Sequence, residues 1–210
     1  MRVCAVICEY NPFHLGHAYH LRAAREASGA DYILCLMSGA LTQRGAFARH
    51  DKWLRARAAL ENGADVRVME SKDLGAGYVG ITAIDPDAES ADAVEKEIVK
   101  AMQRVTTGCV STAIRDANLS GVQITNGDYI AFVGKETVAA DRDAVTVTKA
   151  LIDRLLSDKR KSMLTVFCGV DATAADQSTL QSWLRETYQR TEVYFSDGGQ
   201  EIYPYILIAE

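Results

Sequence analysis

Two apolar runs, "RVCAVIC" at residues 2–8 and "DYILCLM" at residues 31–37, most constrain what this chain can fold into. Both are too continuously apolar for a strand with one wet face, so both read as strands covered on both sides, as in parallel sheets. Between them Leu21, Ala24 and Ala27 recur at helical spacing, and Gly29 after Ser28 is a stop signal. Strand, helix and strand joined by short links predict a parallel βαβ unit, because parallel neighbours need a crossover connection. A second helix is expected through "DKWLRARAALEN" to Gly63, and a third strand at "ADVRVM". The opening is therefore Rossmann-like.

The link from the first strand to its helix, "CEYNPFHLGH" at residues 8–17, concentrates reactive side chains. A strand ending at Glu9 hands over to a loop, and a helix beginning at His17 would present its N-terminal amides and positive dipole end, which attract anions. His14 and His17 can reach successive phosphates of one nucleotide, and Gly16 between them puts no bulky group in the way. In nucleotidyl transfer, neutralising charge on the α-phosphate as it becomes five-coordinate is most of the catalysis. A bare H-x-G-H run fits surface or metal-ligating histidines better. Its position between a buried first strand and a helix favours phosphate.

Charge divides the chain. Residues 1–65 hold 8 Lys/Arg against 6 Asp/Glu, and residues 66–210 hold 15 against 22, giving +2 and −7. All four histidines (His14, His17, His20, His50) lie in the first part, so chemistry that titrates near neutral pH is confined there. An acidic second part repels a phosphate backbone and disfavours a broad nucleic-acid surface. The five cysteines are scattered without a C-x-x-C pair and read as reduced core thiols. No apolar stretch approaches the roughly 18 residues of a membrane span, and the start lacks a cleavable signal pattern. A cytoplasmic location without membrane contact is expected.

Beyond residue 72 the expected order is a Gly-rich link "LGAGYVG", a helix over "SADAVEKEIVKAMQRV" and a strand "CVSTAIRD". A hairpin array with turns at Asn126-Gly127 and Gly134-Lys135 follows. Two helix–strand pairs come next, "DAVTVTKALIDRLL" with "SMLTVFC" and "TLQSWLRETYQR" with "TEVYFS", and the tail "GGQEIYPYILIAE" supplies a last strand. Gly75, Gly77 and Gly80 spell G-x-G-x-x-G but neither follow a strand directly nor precede an acidic strand end at the right distance, against dinucleotide binding. "GKE" at Gly134 lacks the rest of a P-loop, "DKRK" at 158–161 reads as a solvated connection, and "GGQ" at 198–200 as a turn.

The segments "EYNPFHLGHAYHL", "MSGALTQRG" and "DKWLRARAALENGAD" resemble the start of the bacterial cytidine acetate ligases. Those H-x-G-H nucleotidyltransferases activate acetate with ATP and acetylate the wobble cytidine of elongator methionine tRNA. The resemblance implies an ATP loop of Glu9, Asn11, Pro12, Phe13, His14, Gly16, His17 and His20, with His14 and His17 catalytic. Ser38, Gly39, Gln43, Arg44 and Gly45 would form the facing loop. Mg would arrive with ATP, and no protein-held metal is implied. Leu15 and Ala40 stand where that family commonly has Asn. The resemblance stops near residue 65, ahead of the second phosphate-binding segment that such enzymes carry.

"VRVMESKDLGAGYVGITAIDPDAE", "CVSTAIRDANLSGVQITNGDYIAFVGKETVAAD" and "GGQEIYPYILIAE" instead resemble the C-terminal region of the fatty acid kinase A protein, which is dihydroxyacetone-kinase-like. In that family this region engages the partner that carries the acyl chain, while the kinase site lies in another domain. The expected organisation is a Rossmann-like half-domain over 1–65 joined to an α/β module with β-hairpins over 66–210, the junction lying inside "NGADVRVMES". The N-terminal strands either complete one sheet with the second part or stand as a half-domain. Two functions follow: an ATP-binding adenylyl-transfer segment with incomplete machinery, or a non-catalytic module that binds an acyl-carrying, fatty-acid-binding protein. tRNA is not an expected partner of the truncated chain.

Overall fold

A computed structural model describes residues 2–37, 48–61, 71, 73–85 and 90–210. The chain divides into two compact units, one comprising Met1–Glu70 and Ala83–Val99, the other Ser71–Thr82 and Lys100–Glu210. Both are α/β. In the first, β1 (Val3–Cys8) leads through a loop into α1 (Leu15–Ser28), β2 (Tyr32–Met37) and α2 (Lys52–Glu61). β1 and β2 pair in parallel, from Val3 opposite Tyr32 to Cys8 opposite Met37, but among the described residues the expected cover on both faces is not found: only Val6 of β1 is buried, and Ala5 and Ile7 on its other face are exposed. α1 ends where expected: Gly29 adopts the left-handed conformation at φ 60° and donates its N–H to the Arg25 carbonyl.

Helix α1 begins at Leu15, two residues earlier than expected, because His14 serves as its N-cap. Ala18 and Leu21 face the small core of Tyr10, Phe13 and Ala59, whereas Ala27 is exposed. The expected third strand at 64–69 and the junction at 62–71 fall, apart from Ser71, outside the described residues. Of the two sheet arrangements open from sequence, β1 and β2 form a two-stranded sheet of their own among the described residues.

The second unit contains α3 (Leu74–Thr82), and α4 (Ala91–Arg104) carries residues of both units. There follow β3 (Thr106–Thr112), β4 (Ala117–Leu119), β5 (Val122–Ile124), β6 (Tyr129–Val133), β7 (Glu136–Asp141), α5 (Ala144–Leu155), β8 (Met163–Cys168), α6 (Ala174–Thr187), β9 (Glu192–Asp197) and β10 (Tyr205–Ala209). Six strands form one sheet in the order β7-β6-β3-β10-β8-β9, antiparallel throughout except for β8 beside β9. The tail strand β10 lies inside the sheet with all five residues buried, so this unit cannot complete its sheet until its last residues arrive. Tyr205, Leu207 and Ala209 join Val147, Leu151 and Ile152 of α5 in the main core.

Four expectations fail here. "LGAGYVG" is the helix α3 and not a link, because Gly75 serves close packing: a Cβ there would collide with Thr107 Oγ1 and meet Ile208 Cγ1 at 3.0 Å. β3 starts at Thr106, not Cys109, since Gly108 is a strand residue whose missing side chain admits Leu151, Cδ1 standing 2.7 Å from where a Cβ would be. The Asn126-Gly127 turn joins β5 to β6, which do not pair, while the hairpin turn sits at Ser120-Gly121, with φ of 53° and 81° between β4 and β5. Gly134-Lys135 does close the β6–β7 hairpin. α6 starts at Ala174, five residues earlier than expected, because the Thr173 hydroxyl accepts from Asp176 N at 3.1 Å.

Candidate nucleotide-binding site

The loop between β1 and α1 is organised from its buried residues outward. Tyr10, 2% exposed and at φ 46°, shares a hydrogen bond of 3.2 Å between its hydroxyl and Cys35 Sγ on β2. Its ring meets Phe13 edge-on at 4.8 Å and lies 5.0 Å from the His17 ring. A Cys8–Cys35 hydrogen bond and burial push the Cys8 thiol up, while the same bond holds Cys35 down to about 7. These thiols and rings form the floor beneath the histidines.

His14 and His17 cap α1 reciprocally. Gly16 N–H donates to His14 Nδ1 at 3.1 Å, and His14 N–H donates to His17 Nδ1 at 3.3 Å. This is a capping box built from two imidazoles in place of a hydroxyl and a carboxylate. Because each Nδ1 accepts, each neutral ring carries its proton on Nε2. The rings stack at 3.8 Å with 22° between their planes, so the two Nε2–H donors belong to one rigid pair. A Cβ at position 16 would stand 3.0 Å from His14 Cε1, so the glycine makes room for the capping imidazole. Burial lowers the His17 pKa below 6.5, and His14 and His20 lower it further.

The helix amides contribute less than the sequence suggests. Gly16 N–H is taken by the His14 ring, and the amides of His17 and Ala18 donate to the His14 carbonyl at 2.9 and 3.2 Å. The imidazole Nε2–H groups are not taken up by these capping bonds. Asn11 faces the segment ahead of α2, its Oδ1 accepting from Arg49 N at 2.8 Å. The Glu9 carbonyl accepts from Arg55, Pro12 is exposed, and exposed His20 acts on His17 through charge. Ser38, Gly39, Ala40, Gln43, Arg44 and Gly45 lie outside the described residues, so the facing loop is not part of this geometry.

Two participants are missed by sequence reasoning. In sequence Tyr10 is a loop residue between Glu9 and Asn11, and Arg55 is one of several helix cations. The available signal for Arg55 is its place beside Ala56 and one turn before Ala59, the buried face of α2. Among the described residues no three His, Cys, Asp or Glu side chains could hold a metal ion, and no helix is long and apolar enough to cross a membrane.

Residues 53–210, well over half of the chain, match the C-terminal family of proteins like fatty acid kinase A (FakA-like). The chain belongs to that family. Residues 1–70 match the HIGH Nucleotidyl Transferase family, so both resemblances read from the sequence hold. The tRNA(Met) cytidine acetate ligase of Exiguobacterium sibiricum is 53% identical over 70 residues, 33% of this chain and 18% of that enzyme. The chain spans between 16% and 18% of the ligase relatives it matches first. Thermotoga maritima TmcAL, solved with α-thio ATP, is 41% identical over 40% of this chain and 23% of its own, with a TM-score of 0.33. A DegV family protein from Corynebacterium glutamicum superposes with a TM-score of 0.64 over 100% of this chain and 96% of its own at 13% identity, which is a likeness of fold.

Proposed function

We propose that this chain binds ATP through the loop of Glu9–His20, with Mg arriving on the nucleotide, and that it does not complete an acetyl or adenylyl transfer by itself. The observation that carries the reading is the stacked His14–His17 pair, whose capping bonds engage both Nδ1 atoms and leave the Nε2–H groups as donors. Phosphate oxygens are acceptors for such donors, and donors already oriented cost little rearrangement on binding. Catalysis needs more: acetate held in line with the α-phosphate and charge neutralised from the opposite side. Orientation alone can supply about 7–11 kcal/mol of a barrier. In this chain the nucleotidyltransferase match ends by residue 70 and a different family continues.

Titration calorimetry of the full chain with ATP and Mg tests the reading. Binding is expected in the wild type and is expected to vanish in the His14→Ala, His17→Ala double variant. Equal affinity in both would show the pair to be structural, and acetyl adenylate formed by the wild type would refute the inactive half.

A second reading is favoured by the family match over residues 53–210. In it the module over 66–210 is an interaction domain for an acyl-carrying, fatty-acid-binding protein, held by protein contacts without ATP. Its net −7 opposes tRNA binding. Five free thiols fit a reducing, cytoplasmic setting. Co-purification of the chain with such a partner supports this reading, and salt-sensitive tRNA binding by the chain overturns it.

A further inference from the structure

Arg55 is 1% exposed and heads the fully buried side chains of the described residues by volume. A guanidinium removed so far from water persists only where its donors meet acceptors. Nε donates to the His50 carbonyl at 3.1 Å and Nη1 to the Glu9 carbonyl at 2.5 Å. Its charge also acts on Cys8, at the end of β1, and on Asp51, at the start of α2. Glu9 opens the loop that ends at the His14 cap, and His50 precedes α2. One side chain therefore stitches the two segments together, and the Asn11 Oδ1 to Arg49 N bond is a second stitch beside it. Arginine suits this role because its planar fork serves two carbonyls in fixed directions, whereas an ammonium is a single point charge.

We propose that Arg55 is a positioning residue of the nucleotide loop: from inside α2 it fixes the Glu9 carbonyl and so holds residues 9–14 where His14 and His17 stack with both Nε2–H donors presented. The inference rests on the ATP reading for its purpose, but the state of the histidine pair can be measured without nucleotide. Loss of ordinary packing at position 55 would lower the melting temperature and leave the imidazoles as they are. Loss of positioning changes the imidazoles themselves.

The experiment uses the full chain and its Arg55→Met variant, of similar side-chain length and without charge. Nitrogen-15 imidazole spectra of the ATP-free protein report the tautomer of each histidine, and thermal unfolding is followed in parallel. Wild-type His14 and His17 are expected as single Nε2–H tautomers. In Arg55→Met both are expected as tautomer mixtures, with ATP affinity reduced about ten- to a hundredfold, the loss expected of one charge-assisted hydrogen bond. Wild-type imidazole spectra in a folded Arg55→Met protein overturn the proposal, whatever the melting temperature. If Arg55→Met does not fold, Arg55→Lys decides: tautomer mixing supports the proposal and a wild-type spectrum overturns it. Absent ATP binding by the wild type defeats the ATP reading alone, because the spectra still decide the role of Arg55.

Discussion

Replacing Gly75 by Ala is expected to destabilise the C-terminal unit, although the same change in an exposed helix stabilises by about 1 kcal/mol. At position 75 the new methyl runs into Thr107 Oγ1 and meets Ile208 Cγ1 at 3.0 Å and Thr107 Cβ at 3.2 Å. Thr107 cannot turn aside freely, since its hydroxyl donates to Asp73 Oδ1 at 2.6 Å, the carboxylate that also accepts from Ala76 N at 2.9 Å at the start of α3. Overpacking of this kind costs about 1–3 kcal/mol, and giving up a hydrogen bond to a charged group about 1.5–3 kcal/mol. Added together and set against the helix-propensity gain, the net is a loss of about 1.5–5 kcal/mol. Gly77, two residues on, is the internal control: among the described residues its added methyl would meet only Ser71 Cβ and Oγ at 3.6 Å, ordinary contact. Gly77→Ala is expected to stabilise by up to about 1 kcal/mol. Urea unfolding of both variants reads the two signs. A stabilised Gly75→Ala protein, or a shift of equal sign in both, would refute the close-packed account of α3.

Removing the Tyr205 hydroxyl, buried without a hydrogen-bond partner among the described residues, should leave the protein as stable or up to about 1 kcal/mol more stable; clear destabilisation in Tyr205→Phe would show that the hydroxyl is satisfied. Asp143 caps α5 through Val145 N at 3.3 Å and Thr146 N at 3.0 Å, so Asp143→Ala should cost about 1–2 kcal/mol in thermal unfolding. The Thr146 hydroxyl bond in particular holds that carboxyl below 3.8, so its contribution is complete above pH 3.8 and is lost as pH falls through the lower folded value, a step the variant should lack. His17 is held below 6.5 first by burial, so folding favours its neutral form; the associated stability is complete above pH 6.5 and declines as pH falls through the folded value. His17→Gln should flatten that decline, and an imidazole titrating at or above 6.5 in wild-type NMR spectra would contradict it.

Features carried by neighbouring residues were legible in the amino-acid order. The strands at 3–8 and 32–37, the Gly29 stop, the H-x-G-H pair and the Gly134-Lys135 hairpin each depend on periodicity or turn chemistry spanning a few positions, and each lies close to where that logic put it. Tertiary structure decided whatever depended on partners far along the chain. Whether the glycines of "LGAGYVG" end a helix or line one depends on Thr107 and Ile208, more than thirty residues away or at the far end of the chain. Whether "YPYILIA" forms an edge or an interior strand depends on β3 and β8 both offering it hydrogen bonds. Arg55 looks like any helix cation until the Glu9 carbonyl arrives beneath it. The role of the histidines divides along the same line: their spacing was local, but their tautomer depends on which backbone N–H reaches each Nδ1, and that geometry exists only once the loop is folded against its floor.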